Sequence, residues 1–121
     1  MATIMLLEDQ PFIALDIEML LGEYGHDHVT FSTCADAKKW LNDNTPSTAI
    51  VDPRLSDGLC AEVVRILVER GTPFIVYSGE AESLPEIEPA FAEGEQLSKP
   101  CEPELLVAAV ARALKDRPGQ V

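Results

Sequence analysis

Five short apolar runs, separated by longer segments with helical spacing, constrain this chain more than any other feature. The runs are TIMLL (3–7), HVTF (28–31), TAIV (48–51), PFIVY (73–77) and the weaker EQL (95–97). Such alternation is the signature of βα units around a mostly parallel sheet. The first, third and fourth runs are nearly continuous in apolar residues, as strands covered on both faces require, so they are expected at the centre. The second and fifth are shorter and more polar and suit the edges. Between the runs, Ile13, Ile17, Leu20, Leu21 and Tyr24 follow Pro11 at helical spacing, with Gly25 to end the helix. Thr33 and Asp36 resemble a capping box ahead of Ala37, Trp40 and Leu41. Val63, Ile66 and Leu67 form a stripe that stops at Gly71, and Leu106, Val110, Ala113 and Leu114 form another after Pro103. Arg112, Lys115 and Arg117 favour the negative end of that last helix, and the tail PGQV is expected to fray. The segment Gly79 to Glu95 holds two prolines and six glutamates, with only Leu84, Ile87, Ala90 and Phe91 roughly in phase, so a short or broken fourth helix is expected.

At 121 residues the chain is expected to form a single domain spanning 1–121, without an output domain. Nine Lys plus Arg against 21 Asp plus Glu give a net charge of −12, which repels nucleic acid and anionic membranes as direct partners. No apolar run approaches the roughly 18 residues of a membrane span. The start MATIMLLEDQ lacks a basic leader region, so a cytoplasmic location is expected. Cys34, Cys60 and Cys101 are odd in number and widely spaced, without a CxxC, and are expected to be small buried thiols. His26 and His28 have no third ligand nearby in sequence and are assigned no metal role.

An open parallel sheet binds ligands outside the carboxyl ends of its strands, and here those ends are polar. The first run ends in Glu8 and Asp9, the third in Asp52, the fourth in Ser78 and Gly79, and the fifth in Ser98, Lys99 and Pro100. Carboxylates that close repel one another unless a cation joins them. With oxygen donors only, Mg²⁺ is preferred to zinc. Asp52, at the end of a central strand and followed by Pro53, is the candidate nucleophile toward phosphorus. Lys99, the Ser78 hydroxyl and an N–H near Gly79 would then face the oxygens of a transferring phosphoryl group, and the Arg54 carbonyl would reach the metal. Asp57 and Gly58 read as the turn and helix start that follow. No GxxxxGK[ST] or GxGxxG nucleotide loop is present.

The motifs LLED, VDPRLSDG, YSG and LSKP, in this order and at these separations, resemble the receiver domain of two-component response regulators over essentially the whole chain. PFIALDIEMLLGEYGH and GTPFIVYSG further resemble alphaproteobacterial stand-alone receivers. The resemblance implies a flavodoxin-like three-layer αβα sandwich with five parallel strands in the order 2-1-3-4-5. It implies transfer of a phosphoryl group to Asp52 from the phosphohistidine of a sensor histidine kinase or a histidine phosphotransfer protein. Mg²⁺ would be held by Glu8, Asp9, Asp52 and the Arg54 carbonyl, with Ser78 and Lys99 completing the site and a Lys99–Pro100 peptide that is commonly cis. Such a chain signals by binding a downstream protein or drains phosphate from a kinase. It is no enzyme beyond slow self-phosphorylation and self-dephosphorylation, and a homodimer is left open.

Two departures stand out. Gln96 occupies the position where the family usually carries an aromatic switch residue, and Tyr77 is either an ordinary strand residue or a partial substitute. The proline-containing fourth segment falls where receivers often meet partners. Phe12, Leu15 and Met19 form a second apolar stripe on the first helix, either additional core or a docking face for a kinase helix. The alternative reading is a degenerate receiver acting as a phosphorylation-independent adaptor. An Asp-nucleophile phosphatase is disfavoured by the absence of DxD after the first run, and a flavin binder by three carboxylates without a Ser/Thr-rich phosphate loop.

Overall fold

The computed structural model describes residues 3–79 and 84–115; Arg117, the tail PGQV and part of the fourth segment lie outside the described residues. The principal elements are β1 (Thr3–Leu7), α1 (Pro11–Glu23), β2 (Asp27–Phe31), α2 (Cys34–Leu41), β3 (Thr48–Val51), α3 (Ala61–Glu69), β4 (Phe74–Ser78), α4 (Leu84–Ile87), β5 (Glu95–Ser98) and α5 (Pro103–Lys115). A small antiparallel hairpin, Arg54–Leu55 with Gly58–Leu59, follows β3, and a 3₁₀ turn, Pro89–Glu93, precedes β5.

The five principal strands form one parallel sheet in the order β2-β1-β3-β4-β5. Central and edge positions follow apolar content, because a strand covered on both faces has no solvated side. β3 is fully buried, whereas β2 is exposed or half-buried throughout. Side chains alternate across the sheet with the strand period of two. Met5, Leu7, Ala49, Val51, Phe74 and Val76 pack with Ala37 and Leu41 of α2, Val63, Val64 and Leu67 of α3, and Phe91. Ile4, Leu6, Ile50, Ile75 and Tyr77 pack with Ala14, Ile17 and Leu21 of α1 and Leu106, Ala109 and Val110 of α5. Helices therefore cover both faces, which completes the flavodoxin-like αβα sandwich. Among the described residues, no helix is long and apolar enough to cross a membrane.

Several expectations change in the structure. Tyr24 is exposed rather than part of the α1 stripe, because it is the C-cap residue, where the chain leaves the helix. In α3 the buried residues are Val63, Val64 and Leu67, with Ile66 only partly buried. Trp40 is half-buried and stacks at a tilt on Phe31, 5.9 Å between ring centres. Phe12, Leu15 and Met19 are exposed, which removes the additional-core reading of that stripe. The fourth segment is broken as expected: α4 holds four residues, and the 3₁₀ turn that follows buries Phe91 completely.

The cysteines are the largest correction. Cys34 and Cys60, expected as separate buried thiols, are joined in a disulfide, and Cys101 alone is free. Their separation of 26 residues carries no pairing signal. The pairing arises because the N-termini of α2 and α3 lie side by side at one end of the sheet.

Gly94 marks the tightest packing around the broken segment. A Cβ built on it would lie 2.4 Å from the Phe74 ring and 2.9 Å from the Phe74 carbonyl oxygen. The backbone partner cannot rotate away as a side chain could. Gly94→Ala is therefore expected to destabilise the fold by about 1–3 kcal/mol, the usual cost of overpacking, seen as a lower urea midpoint with unchanged slope.

Candidate functional site

Three strand ends meet at the carboxyl edge of the sheet. The Asp52 N–H donates to the Leu7 carbonyl at 3.0 Å, and the Glu8 N–H donates to the Phe31 carbonyl at 3.1 Å, so both residues extend ladders that strand pairing has already set. Their carboxylates and that of Asp9 offer oxygens that all lie within 4.8 Å of one another. Glu8 is buried, at 3% exposure, while Asp9 and Asp52 are partly open to solvent.

Lys99 reaches in from the end of β5 and bridges two of the three. Its Nζ lies 2.6 Å from Glu8 Oε1 and 2.8 Å from Asp52 Oδ2. Burial opposes the charge on this ammonium, yet the hydrogen bonds to Asp52 and Glu8 outweigh it and raise its pKa above the ordinary lysine value. The second oxygens are also engaged: Glu8 Oε2 accepts from the Gln10 N–H at 3.1 Å, and Asp52 Oδ1 accepts from the Arg54 N–H at 3.1 Å. This last bond holds the start of the hairpin against Asp52. The Lys99–Pro100 peptide is cis. Ser78 ends β4, two residues beyond Val76, which stands opposite Val51, and it is buried at 4% exposure.

The donor set fits a hard divalent cation. It contains carboxylate oxygens only, on rigid strand ends, at spacings that an ion with metal–oxygen distances of about 2.0–2.1 Å can span. Mutual repulsion of three carboxylates is relieved by Lys99 in part, since one ammonium offsets one charge.

The side chain of Asp57 does more than shape the turn expected after Asp52. Oδ1 and Oδ2 accept from the Cys34 and Ala35 N–H groups at 2.8 and 3.1 Å, filling two of the orphan donors at the start of α2. Thr33 Oγ1 accepts a third, from Asp36 at 3.2 Å. The helix of α3 begins only at Ala61, and Gly58, with φ +119°, belongs to the hairpin. A pairing 23 residues apart has no local sequence signal. The Cys34 and Ala35 amides lower the Asp57 pKa below 3.8. A group depressed on folding stabilises above its unfolded value, and that stability is lost as pH falls through the folded value. Acid titration followed by circular dichroism is expected to show this component in the wild type below about pH 4 and a shallower acid limb in Asp57→Asn.

Gln96 is anchored, its Nε2 donating to the Phe91 carbonyl at 2.7 Å and the Gly94 carbonyl at 3.0 Å. It ties β5 to the 3₁₀ turn. Tyr77 faces the opposite side of the sheet. Its hydroxyl accepts from the Cys101 N–H at 3.4 Å, its ring centre lies 5.4 Å from Lys99 Nζ, and burial raises its pKa. Lys99 and Tyr77 also line a cleft of about 590 Å³ between α1 and α5, with Ile17, Met19, Leu20 and Leu106.

No protein-family model and no curated protein matches the chain. Solved structures do. The receiver domain of a sensor histidine kinase from Pseudomonas aeruginosa PAO1, solved with a magnesium ion coordinated in its active-site cleft, superposes with a TM-score of 0.80 at 20% identity, covering 93% of this chain and 97% of that one. The receiver domain of the PhyR response regulator of Erythrobacter litoralis superposes with a TM-score of 0.81 at 24% identity, covering 99% and 95%. A PhyR stress response regulator is 30% identical with a TM-score of 0.76, covering 98% of this chain but 47% of that one, so the present chain spans about half its length. By sheet order, by layer arrangement and by these likenesses, the chain has the fold of the response regulator receiver domains.

Proposed function

We propose that this chain is a phosphoacceptor receiver, a signalling module that takes a phosphoryl group onto Asp52 from the phosphohistidine of a sensor histidine kinase or a histidine phosphotransfer protein. The observation that carries this reading is the joint placement of Asp52, two further carboxylates and Lys99 Nζ, 2.8 Å from Asp52, at the carboxyl edge of one sheet. A carboxylate alone repels an incoming phosphoryl group. Lys99 already sits where one equatorial oxygen would need a counter-charge, and Ser78 ends the adjacent strand. In the transfer, an Asp52 oxygen bonds to phosphorus as the P–N bond breaks and the imidazole leaves with the electron pair. Glu8, Asp9, Asp52 and the Arg54 carbonyl would hold Mg²⁺. When bound, that ion supplies charge neutralisation of the phosphoryl oxygens. Phe12, Leu15 and Met19, exposed on α1 beside the cleft, are the face we assign to the phosphodonor protein.

Incubation with a small phosphodonor such as acetyl phosphate tests the reading. Intact mass is expected to rise by a single phosphoryl group with Mg²⁺ and to stay unchanged with excess chelator. No increment with any acyl phosphate or phosphoramidate donor would overturn it.

A second reading, a phosphorylation-independent adaptor, is favoured by Gln96, since an amide held by two carbonyls is not the aromatic that usually moves at this position. Magnesium titration separates the two, because an adaptor has no need to retain metal affinity at Glu8 and Asp9.

A further inference from the structure

Cys34 and Cys60 occupy positions where a bond between them bears on the chain that follows Asp52. Cys34 is the first residue of α2 and Cys60 the N-cap of α3, so the pair joins the starts of two neighbouring helices. Their Cα atoms are 5.4 Å apart, within the span of a disulfide. Cys60 is buried at 1% exposure and Cys34 is half-buried, so Cys34 is the sulfur an outside thiol meets first. Cys34 Sγ also lies 3.5 Å from the Gly58 carbonyl, an acceptor ready for its S–H once the bond to Cys60 is broken. The Cys34 sulfur therefore has a partner in the oxidised and in the reduced pair alike.

What the bond secures is the hairpin between Asp52 and Cys60. The Cys60 N–H donates to the Pro53 carbonyl at 2.8 Å, closing the hairpin at its base. Ser56 Oγ donates to the Ser32 carbonyl at 3.2 Å, and Asp57 accepts from Cys34 and Ala35. These contacts to the start of α2 are solvent-exposed and individually weak. The disulfide is the covalent link among them.

We propose that Cys34 and Cys60 form a reversible dithiol–disulfide pair whose oxidation staples the Arg54–Leu59 hairpin to the N-terminus of α2 and so holds the segment beside Asp52. The co-reactant is a low-molecular-weight disulfide. The Cys34 thiolate attacks one of its sulfurs and expels one small thiolate; the Cys60 thiolate then attacks Cys34 Sγ and expels the second. Two protein thiols thereby lose two protons and two electrons, and the reagent disulfide becomes two thiols. Excess small thiol runs the exchange backward. The consequence for Asp52 rests on the phosphoacceptor reading; the pairing itself does not.

The full chain would be equilibrated in glutathione buffers of graded oxidised-to-reduced ratio, quenched in acid, alkylated under denaturing conditions and mapped by peptide mass. Cys34 and Cys60 are expected to pass together from alkylated to joined, in both directions of the series, with Cys101 joined to neither. In the oxidised form, amide hydrogen exchange over residues 54–60 is expected to slow several-fold, while exchange in β3 is unchanged. In Cys34→Ser, folded by circular dichroism, the same amides should exchange at the reduced rate in every buffer. Cys34 and Cys60 alkylated at every ratio, or joined only between chains, would overturn the pairing. Equal exchange in the two redox forms would overturn the staple. Phosphoryl uptake from a small donor, measured in both forms, is expected to differ; uptake in neither, with pairing intact, would refute the phosphoacceptor reading alone.

Discussion

Asp52→Ala is expected to take up no phosphoryl group from acetyl phosphate and Mg²⁺, while its circular dichroism spectrum should match that of the wild type. The loss is expected to be complete rather than partial, because the variant lacks the oxygen that would bond to phosphorus. Neither neighbouring carboxylate is a ready substitute. Glu8 is buried and already accepts from Lys99 and Gln10, and Asp9 lies one residue past it, beyond the end of β1. Folding should survive, since the Asp52 backbone is held by its N–H bond to Leu7 and the side chain is at the rim rather than in the core. Intact mass after donor treatment checks this directly. Equal phosphoryl incorporation in wild type and variant would place the acceptor elsewhere.

Lys99→Ala is expected to cause the largest stability loss among the site substitutions. It leaves the Glu8 carboxylate, whose side chain is 1% exposed, without its ion-pair partner and leaves three carboxylates facing one another. Breaking a buried pair from one side costs about 3 kcal/mol or slightly more. Urea unfolding in chelator should show it as a lower midpoint. Magnesium is expected to recover a larger share of stability in the variant than in the wild type, because only in the variant does the cluster lack any cation. The wild type also carries an alkaline signature. The Lys99 pKa is raised on folding, so its stabilisation is full below the ordinary lysine value and is lost as pH rises through the higher folded value. That alkaline loss should be missing from Lys99→Ala. A variant as stable as wild type in chelator would show that the ion pairs contribute nothing net.

The two substitutions act on one cluster, so their effects should not add. In Asp52→Ala the ammonium keeps Glu8 as partner, whereas in Lys99→Ala both carboxylates lose theirs. A double-mutant cycle should therefore return a coupling well beyond that of distant sites.

The strand ladder was legible because each apolar run carries its own evidence. Continuous TIMLL and TAIV signal burial on both faces, and the polar residues that end them mark the carboxyl edge of a parallel sheet. From that alone, Glu8, Asp9, Asp52 and Lys99 were expected to converge, and the structure brings them together. The apolar stripe of α1 was harder to place. Two overlapping stripes, one through Ile17 and Leu21 and one through Phe12, Leu15 and Met19, compete at helical spacing, and only packing against α5 and the sheet decides between them.

By itself, the sequence determined the order of strands and helices, the central and edge positions, the break at Gly79 to Glu95 and the acidic rim of the sheet. These depend on periodicity, proline and glycine chemistry and charge, all properties of a few neighbouring residues. Tertiary structure alone decided that Cys34 meets Cys60, that Asp57 caps α2 across 23 residues, and that Gln96 is tied to the Phe91 and Gly94 carbonyls. The Asp57 cap and the cysteine pair join segments far apart in the chain, and the Gln96 bonds need the 3₁₀ turn to fold back over β5. Contacts of this kind depend on how helices settle on a finished sheet, which no short window of sequence encodes.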